Sequence, residues 1–263
     1  MLKFMKRAMI SFDGQCPLKC KYCYTYDLKC VDKNRTVKEL VDSLDNEEFD
    51  IIYVSQTYEN FANQLDGVDL CRSLYKKYNK DIFIITKSEL DNRTISHLVK
   101  LNNIMRESGK QLFFGVSLCS DESYSNVENK YLCPSPEIRL SNLKKMHLNG
   151  INTLLILRPI FPNFIIPIDE CLGLIKKSIP YVDAVVSSGL IITDSITNRL
   201  NIKKQSLLFL EEGDTDYLAN IDRERIDFVD VSEELKVIEE QCIKLNIPFF
   251  SHTIPALNYV INH

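Results

Sequence analysis

Residues 8–23 read Ala-Met-Ile-Ser-Phe-Asp-Gly-Gln-Cys-Pro-Leu-Lys-Cys-Lys-Tyr-Cys, an apolar run that leads at once into Cys16, Cys20 and Cys23. The run over 8–12 predicts a strand, so the three cysteines sit on the loop that leaves its C-terminal end. Thiolates are soft ligands suited to iron–sulfur clusters and to zinc. Four would close either site, whereas three on one cubane leave an iron open to a further ligand. The competing reading is a structural zinc knot with Cys30 as fourth ligand. Zinc sites usually pair their cysteines as two short knuckles, and the sequence has no second one.

Beyond this loop, apolar runs and helix-period segments alternate along the chain, the pattern of parallel strands joined by helical crossovers. Strands are predicted over residues 8–12, 51–55, 82–86, 112–118, 153–157 and 184–188, with weaker signals over 226–229 and 249–251. Thr36 followed by Glu39 forms a capping-box pattern ahead of Val37, Leu40, Val41 and Leu44, which share one helical face. Further helices are predicted within 68–78, over a stretch carrying Ile95, Leu98, Val99 and Met105 that Gly109 ends, and from Pro136 to a stop at Gly150. Ser232 is placed as the cap of a late helix carrying Leu235, Ile238, Cys242 and Leu245. The expected architecture is an α/β fold, a partial (β/α)6-type barrel with a parallel sheet. Residues 1–200 would form the core and 201–263 a small C-terminal extension packing on it. Active sites of such folds gather at the C-terminal ends of the strands, which is where the cysteines fall.

With 263 residues, 45% hydrophobic and 26% charged, the chain can bury a sizeable core. A formal net charge of −4 disfavours a broad phosphate-binding surface, although 32 Lys and Arg leave room for a local groove. The basic N-terminal segment lacks a secretory cleavage pattern and reads as the lead into the first strand. No apolar run reaches the roughly 18 residues of a membrane span. Nine cysteines, an odd count with no export signal, suit reduced thiols in a cytoplasm. Of these, Cys71, Cys133, Cys171 and Cys242 are isolated in sequence, so no second cluster is expected.

The Cys16-x3-Cys20-x2-Cys23 spacing, with Tyr22 before the last cysteine, resembles the signature of the radical S-adenosylmethionine (SAM) superfamily. Tyr24, the strings Ile85-Thr86-Lys87-Ser88 and Val116-Ser117-Leu118, the segment Pro134-Ser-Pro-Glu-Ile-Arg-Leu140 and the turn Arg158-Pro-Ile-Phe-Pro162 resemble its spore-photoproduct-lyase-like branch. The resemblance covers about residues 10 to 165. It implies a 4Fe-4S cluster on the three cysteines, with SAM chelated at the open iron. It also implies Tyr22 near the adenine, Lys87 and Ser117 at the methionine moiety, and reductive cleavage to a 5'-deoxyadenosyl radical that abstracts hydrogen from a substrate the sequence does not identify. A small molecule or peptide is expected there before a nucleic-acid base, and a non-enzymatic regulatory module stapled by iron–sulfur or zinc is the alternative from another class. An electron donor such as flavodoxin or ferredoxin follows from the same resemblance, and no membrane partner does.

Several residues carry two readings each. Lys87 is a cofactor contact or a solvated loop lysine; Ser117 is a cofactor contact or a strand packing residue. Many superfamily members place Gly-Gly-Glu after the second strand, where this chain has Ser55-Gln-Thr-Tyr-Glu59. Ser55 is the favoured amine contact there, with Gln56 and Thr57 as alternatives and Glu59 late in the loop. Arg158, at a strand end, suits a bidentate anion contact or a surface ion pair. Glu128 and Arg139 flank a loop that they serve to order. The lyase's hydrogen-donating cysteine has no counterpart at Ser55 to Thr57, which argues against DNA repair, while Tyr24 matches a tyrosine of its hydrogen-transfer chain. Cys119 is a second candidate hydrogen donor, or a small buried hydrophobe. His252 is read as a structural histidine before a proton shuttle.

Overall fold

Short, β-branched and aromatic runs form the strands of a computed structural model that describes residues 5–26, 34–54, 57–210 and 226–263. The strands are β1 (Arg7–Ile10), β2 (Ile51–Val54), β3 (Asp81–Thr86), β4 (Leu112–Leu118), β5 (Asn152–Leu157) and β6 (Ala184–Ser187), then β7 (Ile191–Ile192), β8 (Asp227–Phe228) and β9 (Phe249–Phe250). Seven of them make one parallel sheet in the order β1-β2-β3-β4-β5-β6-β9, while β7 and β8 form a separate antiparallel pair. The sheet is open, with β1 and β9 as its edges. This is the expected partial barrel, lengthened by a seventh strand from the C-terminal part of the chain.

Helices return the chain between strands: α1 (Val37–Asp42), α2 (Gln64–Tyr78), α3 (Asn92–Glu107), the single turn α4 (Tyr124–Val127), α5 (Pro136–Leu148) and α6 (Ile168–Ser178). After β6 come α7 (Asp194–Leu200), α8 (Ser232–Lys244) and α9 (Thr253–Asn262). The capping box forms as read: Thr36 N–H donates to Glu39 Oε2 at 2.8 Å and Glu39 N–H to Thr36 Oγ1 at 3.3 Å. Gly109 and Gly150 follow α3 and α5 with φ of +70° and +74°, a left-handed conformation that costs glycine least. Ser232 is not the cap of α8. It is the first helical residue, and its N–H and hydroxyl both donate to the Asp230 carboxylate, at 3.0 and 2.6 Å. With its hydroxyl donating to that carboxylate, Ser232 lies inside the first turn and Val231 takes the cap position.

Parallel strands covered on both faces read as continuous apolar runs, without alternation, and β2 and β6 are buried at every position. On the helix side Ile52, Val54, Ile84, Phe114 and Leu155 join the larger core. The inner face carries Ile51, Tyr53, Phe83, Phe113, Leu154 and Ile156, and is filled by Ile254, Ala256, Leu257 and Val260 of α9. Gly115 keeps this face flat enough: a Cβ there would meet Phe83 and Ile156 at 3.0 to 3.1 Å. Counting in twos along each strand places Lys87, Ser117 and Arg158 on the inner face at the C-terminal rim.

Candidate active site

The chain leaves β1 through Gly14, whose φ of +97° makes the turn into the cysteine loop. Three anchors hold that loop. Lys21 N–H donates to Val127 O at 3.0 Å and Lys21 Nζ to Asn126 O at 2.9 Å, docking it on the segment after β4. Arg199, from α7, donates to Lys21 O at 2.8 Å and to Cys23 O at 3.0 Å, and its guanidinium lies 5.0 Å from the Tyr26 ring centre. Arg35 pairs with Asp13 at 2.6 Å near the start of the loop. Cys16, Cys20 and Cys23 thus stand on a braced loop and share one small apolar cluster with Leu18 and Tyr22.

All three are free thiols. Burial pushes Cys16 up to about 11. Cys20 lies well above its ordinary value because of a thiol neighbour, Cys133, and burial; burial raises Cys23, partly offset by the Thr25 hydroxyl at 2.9 Å. Binding metal there must therefore expel protons. Among the described residues no three His, Cys, Asp or Glu side chains stand pre-arranged around one point. In donor chemistry and number the loop fits a cluster held by three soft thiolates, on a short segment walled by apolar and aromatic side chains.

Beside the thiols lies a buried ionic network. Glu128, on the segment after α4, accepts from Lys87 Nζ at 2.5 Å, from Arg139 Nη1 at 3.3 Å with a closer contact from Nη2, and from the Tyr22 hydroxyl at 2.9 Å. Its side chain has no solvent exposure and that of Arg139 has 1%. Burial pushes the Glu128 carboxyl up, but the Lys87 and Arg139 charges outweigh it and hold the group at about 2. The Ser117 carbonyl accepts from Arg139 Nη1 at 2.8 Å and from Lys87 Nζ at 3.5 Å. Lys87 also lies 5.5 Å from the Tyr22 ring centre, and that ring meets Phe161 edge-on at 5.6 Å. Two cations thus share one carboxylate, leaving one excess positive charge beside the cysteine pocket.

Glu59 also reaches the rim. Its carboxylate accepts from the Thr86 hydroxyl and the Lys87 N–H, both at 2.7 Å, and from Phe61 N–H at 3.1 Å. The loop after β2 is thereby tied to the end of β3, so being late in that loop does not keep Glu59 from the site. Burial raises its carboxyl above the usual range, with those donors pulling the other way. Ser55, Gln56 and Cys30 lie outside the described residues.

The remaining sequence-derived residues are scattered around this centre. Cys119 is buried with its Sγ 3.6 Å from Glu128 Oε1. Tyr24 sits in a 3-10 turn (Tyr24–Tyr26) and packs against the main core. Arg158 precedes a cis peptide bond to Pro159 and donates from Nη2 to Ser251 O at 2.8 Å, which links the rim to the segment before α9. His252 is exposed at the start of α9.

A family model described as the radical SAM superfamily matches residues 10–165. The chain belongs to the radical SAM superfamily. Members of the superfamily are enzymes, and solved structures that share this fold include two that can be compared directly. One is a spore photoproduct lyase mutant with bound AdoMet and dinucleoside spore photoproduct, similar over 93% of this chain and 76% of that one, with TM-score 0.60 and 13% identity. The other is SuiB of Streptococcus suis bound to S-adenosylmethionine, with TM-score 0.61 and 14% identity over 94% of this chain, which spans half of SuiB. No curated protein matches the sequence. Among the described residues no helix is long and apolar enough to cross a membrane.

The sequence understated three parts of this candidate site. Glu128 and Arg139 are its ionic centre as well as loop-ordering residues, and for Arg139 the signal was available. Arg139 stands with Pro136, Leu143 and Met146 on the buried stripe of α5, and a charge on such a stripe must be paired inside. Cys133, isolated in sequence, faces Cys20 in space. Arg199 lies 176 residues from Cys23, a separation that no local pattern spans.

Proposed function

We propose that Cys16, Cys20 and Cys23 hold a 4Fe-4S cluster and that SAM binds beside them, the chain acting as a hydrogen-abstracting radical SAM enzyme. The observation that carries the reading is the juxtaposition of three thiols on one braced loop with the excess positive charge of Lys87 and Arg139. When bound, the cluster and SAM supply one-electron reductive cleavage to methionine and a 5'-deoxyadenosyl radical. Lys87 and Arg139, outnumbering Glu128, favour an anionic group at the rim and so suit the methionine carboxylate. Tyr22 and Phe161 offer an aromatic wall for an adenine ring. The apolar surroundings of the loop keep water from the reacting centre. Cys119 and Tyr24 are the chain's candidates for returning hydrogen, and Arg158 for holding a substrate anion. A low-potential protein such as flavodoxin or ferredoxin would deliver the electron in a cytoplasmic setting.

The opposing zinc reading differs in what it requires of Cys30. Iron, zinc and labile sulfide are to be measured on Cys16→Ala, Cys20→Ala, Cys23→Ala and Cys30→Ala after anaerobic reconstitution. The first three should each lose iron and sulfide, and the fourth should keep both. A wild type holding one zinc without sulfide, with Cys30→Ala losing metal like the others, overturns the assignment.

A further inference from the structure

A fourth thiol stands in the cysteine pocket without belonging to the motif. Cys133 Sγ lies 3.7 Å from Cys20 Sγ and 3.6 Å from the Leu18 carbonyl, and both cysteines are buried. The approach is fixed from both sides. The Lys21 N–H to Val127 O bond joins the cysteine loop to the segment that leads to Cys133, and Cys133 N–H donates to Asn129 O at 2.8 Å. The other two motif thiols are placed differently: Cys23 faces the Thr25 hydroxyl, and among the described residues no other pair of sulfur atoms comes within hydrogen-bond reach. A disulfide needs its sulfurs about 2.05 Å apart, so the pair, at 3.7 Å, must close by less than about 2 Å.

We infer that Cys20 and Cys133 form a redox site, closing to a disulfide when the iron-free chain meets a small peroxide. One thiolate attacks a peroxide oxygen and breaks the O–O bond, giving a sulfenic acid and hydroxide. The second thiol then attacks the sulfenic sulfur, and its oxygen leaves as water. Two thiols and one hydrogen peroxide thus become one disulfide and two waters, and a dithiol reductant reverses the change. A sulfur held in that bond cannot ligate metal, so closure withdraws Cys20 from the ligand set and opening returns it. The disulfide stands on the thiol geometry alone; only its effect on metal loading rests on Cys20 being a ligand.

The test treats reduced, metal-free wild type with one equivalent of hydrogen peroxide, alkylates the remaining thiols and maps the peptides by mass. The pair predicts a cross-linked species joining the Cys20 and Cys133 peptides. Cys20 recovered alkylated, or joined to Cys16 or Cys23, overturns it. In parallel, cobalt(II) reports thiolate ligation through its sulfur-to-metal charge-transfer absorbance. Peroxide should cut that signal several-fold in wild type, a dithiol should restore it, and Cys133→Ser should keep its own signal through the same treatment. An equal loss in Cys133→Ser refutes the withdrawal of Cys20 through this pair, with Cys133→Ala and a thermal melt as the check that the variant is folded. If reduced wild type gives no thiolate signal at all, the ligand reading fails separately, and the peptide map still decides the disulfide.

Discussion

Glu128 is the residue on which the site's electrostatics turn. With no exposure of its own it faces Lys87, Arg139, the Tyr22 hydroxyl and the Cys119 thiol. Glu128→Gln removes the one negative charge and strands two cations, a change that costs about 3 to 5 kcal/mol at buried pairs, and it should lower the urea midpoint accordingly. The pH dependence has a definite sign. The carboxyl titrates at about 2 in the fold and near about 4.3 when unfolded. The network therefore adds stability above about pH 4 that disappears as pH falls through about 2. Between these values wild-type stability should drop more steeply than that of Glu128→Gln; parallel slopes would show that Glu128 is not held by its two cations. At this scale the cysteines and Lys87 were legible because their spacing and strand-end position are sequence properties. Burial of a carboxylate on an irregular segment is not.

At the scale of elements, the decisive contact is the one α7 makes with the cysteine loop. Arg199 satisfies two carbonyls, one of them that of Cys23, and hydrogen bonds from a charged donor are worth about 1.5 to 3 kcal/mol. Arg199→Ala should leave the sheet intact but loosen the loop. The expected result is a melting temperature within several degrees of wild type and iron loss to a chelator that is several-fold faster. Unchanged chelator kinetics would mean that the other anchors suffice. Elements with local signatures were readable: the Thr36–Glu39 box, the glycine stops at Gly109 and Gly150, and the six long strands. Of the two-residue strands, β8 and β9 fall within the weaker signals over 226–229 and 249–251, whereas β7 was not read, since two residues carry no period. Ser232 misled because the helix starts one residue earlier than read: its own N–H and hydroxyl donate to Asp230, and Leu235 N–H goes to the Val231 carbonyl.

At the scale of the whole molecule, the sheet runs without a break from the cysteine loop on β1 to β9, and α9 packs into its inner face. Leu257 is wholly buried there among strand residues from β2 to β6. Leu257→Ala should cost about 2 to 5 kcal/mol of stability, read as a fall in the denaturant midpoint; a loss under about 1 kcal/mol would show α9 to be dispensable to the core. The parallel order of the first six strands followed from alternating runs. How the inner face is filled did not, because α9 and the strands it covers are brought together only by the completed sheet. That packing leaves the strand ends as the place where the cysteines, Lys87 and Arg139 meet. Its chemical meaning is tested most directly by giving SAM and a strong reductant to the anaerobically reconstituted protein and measuring 5'-deoxyadenosine and methionine. Both products should form in wild type and neither in Cys20→Ala. A wild-type sample replete in iron and sulfide that yields neither product would contradict the account.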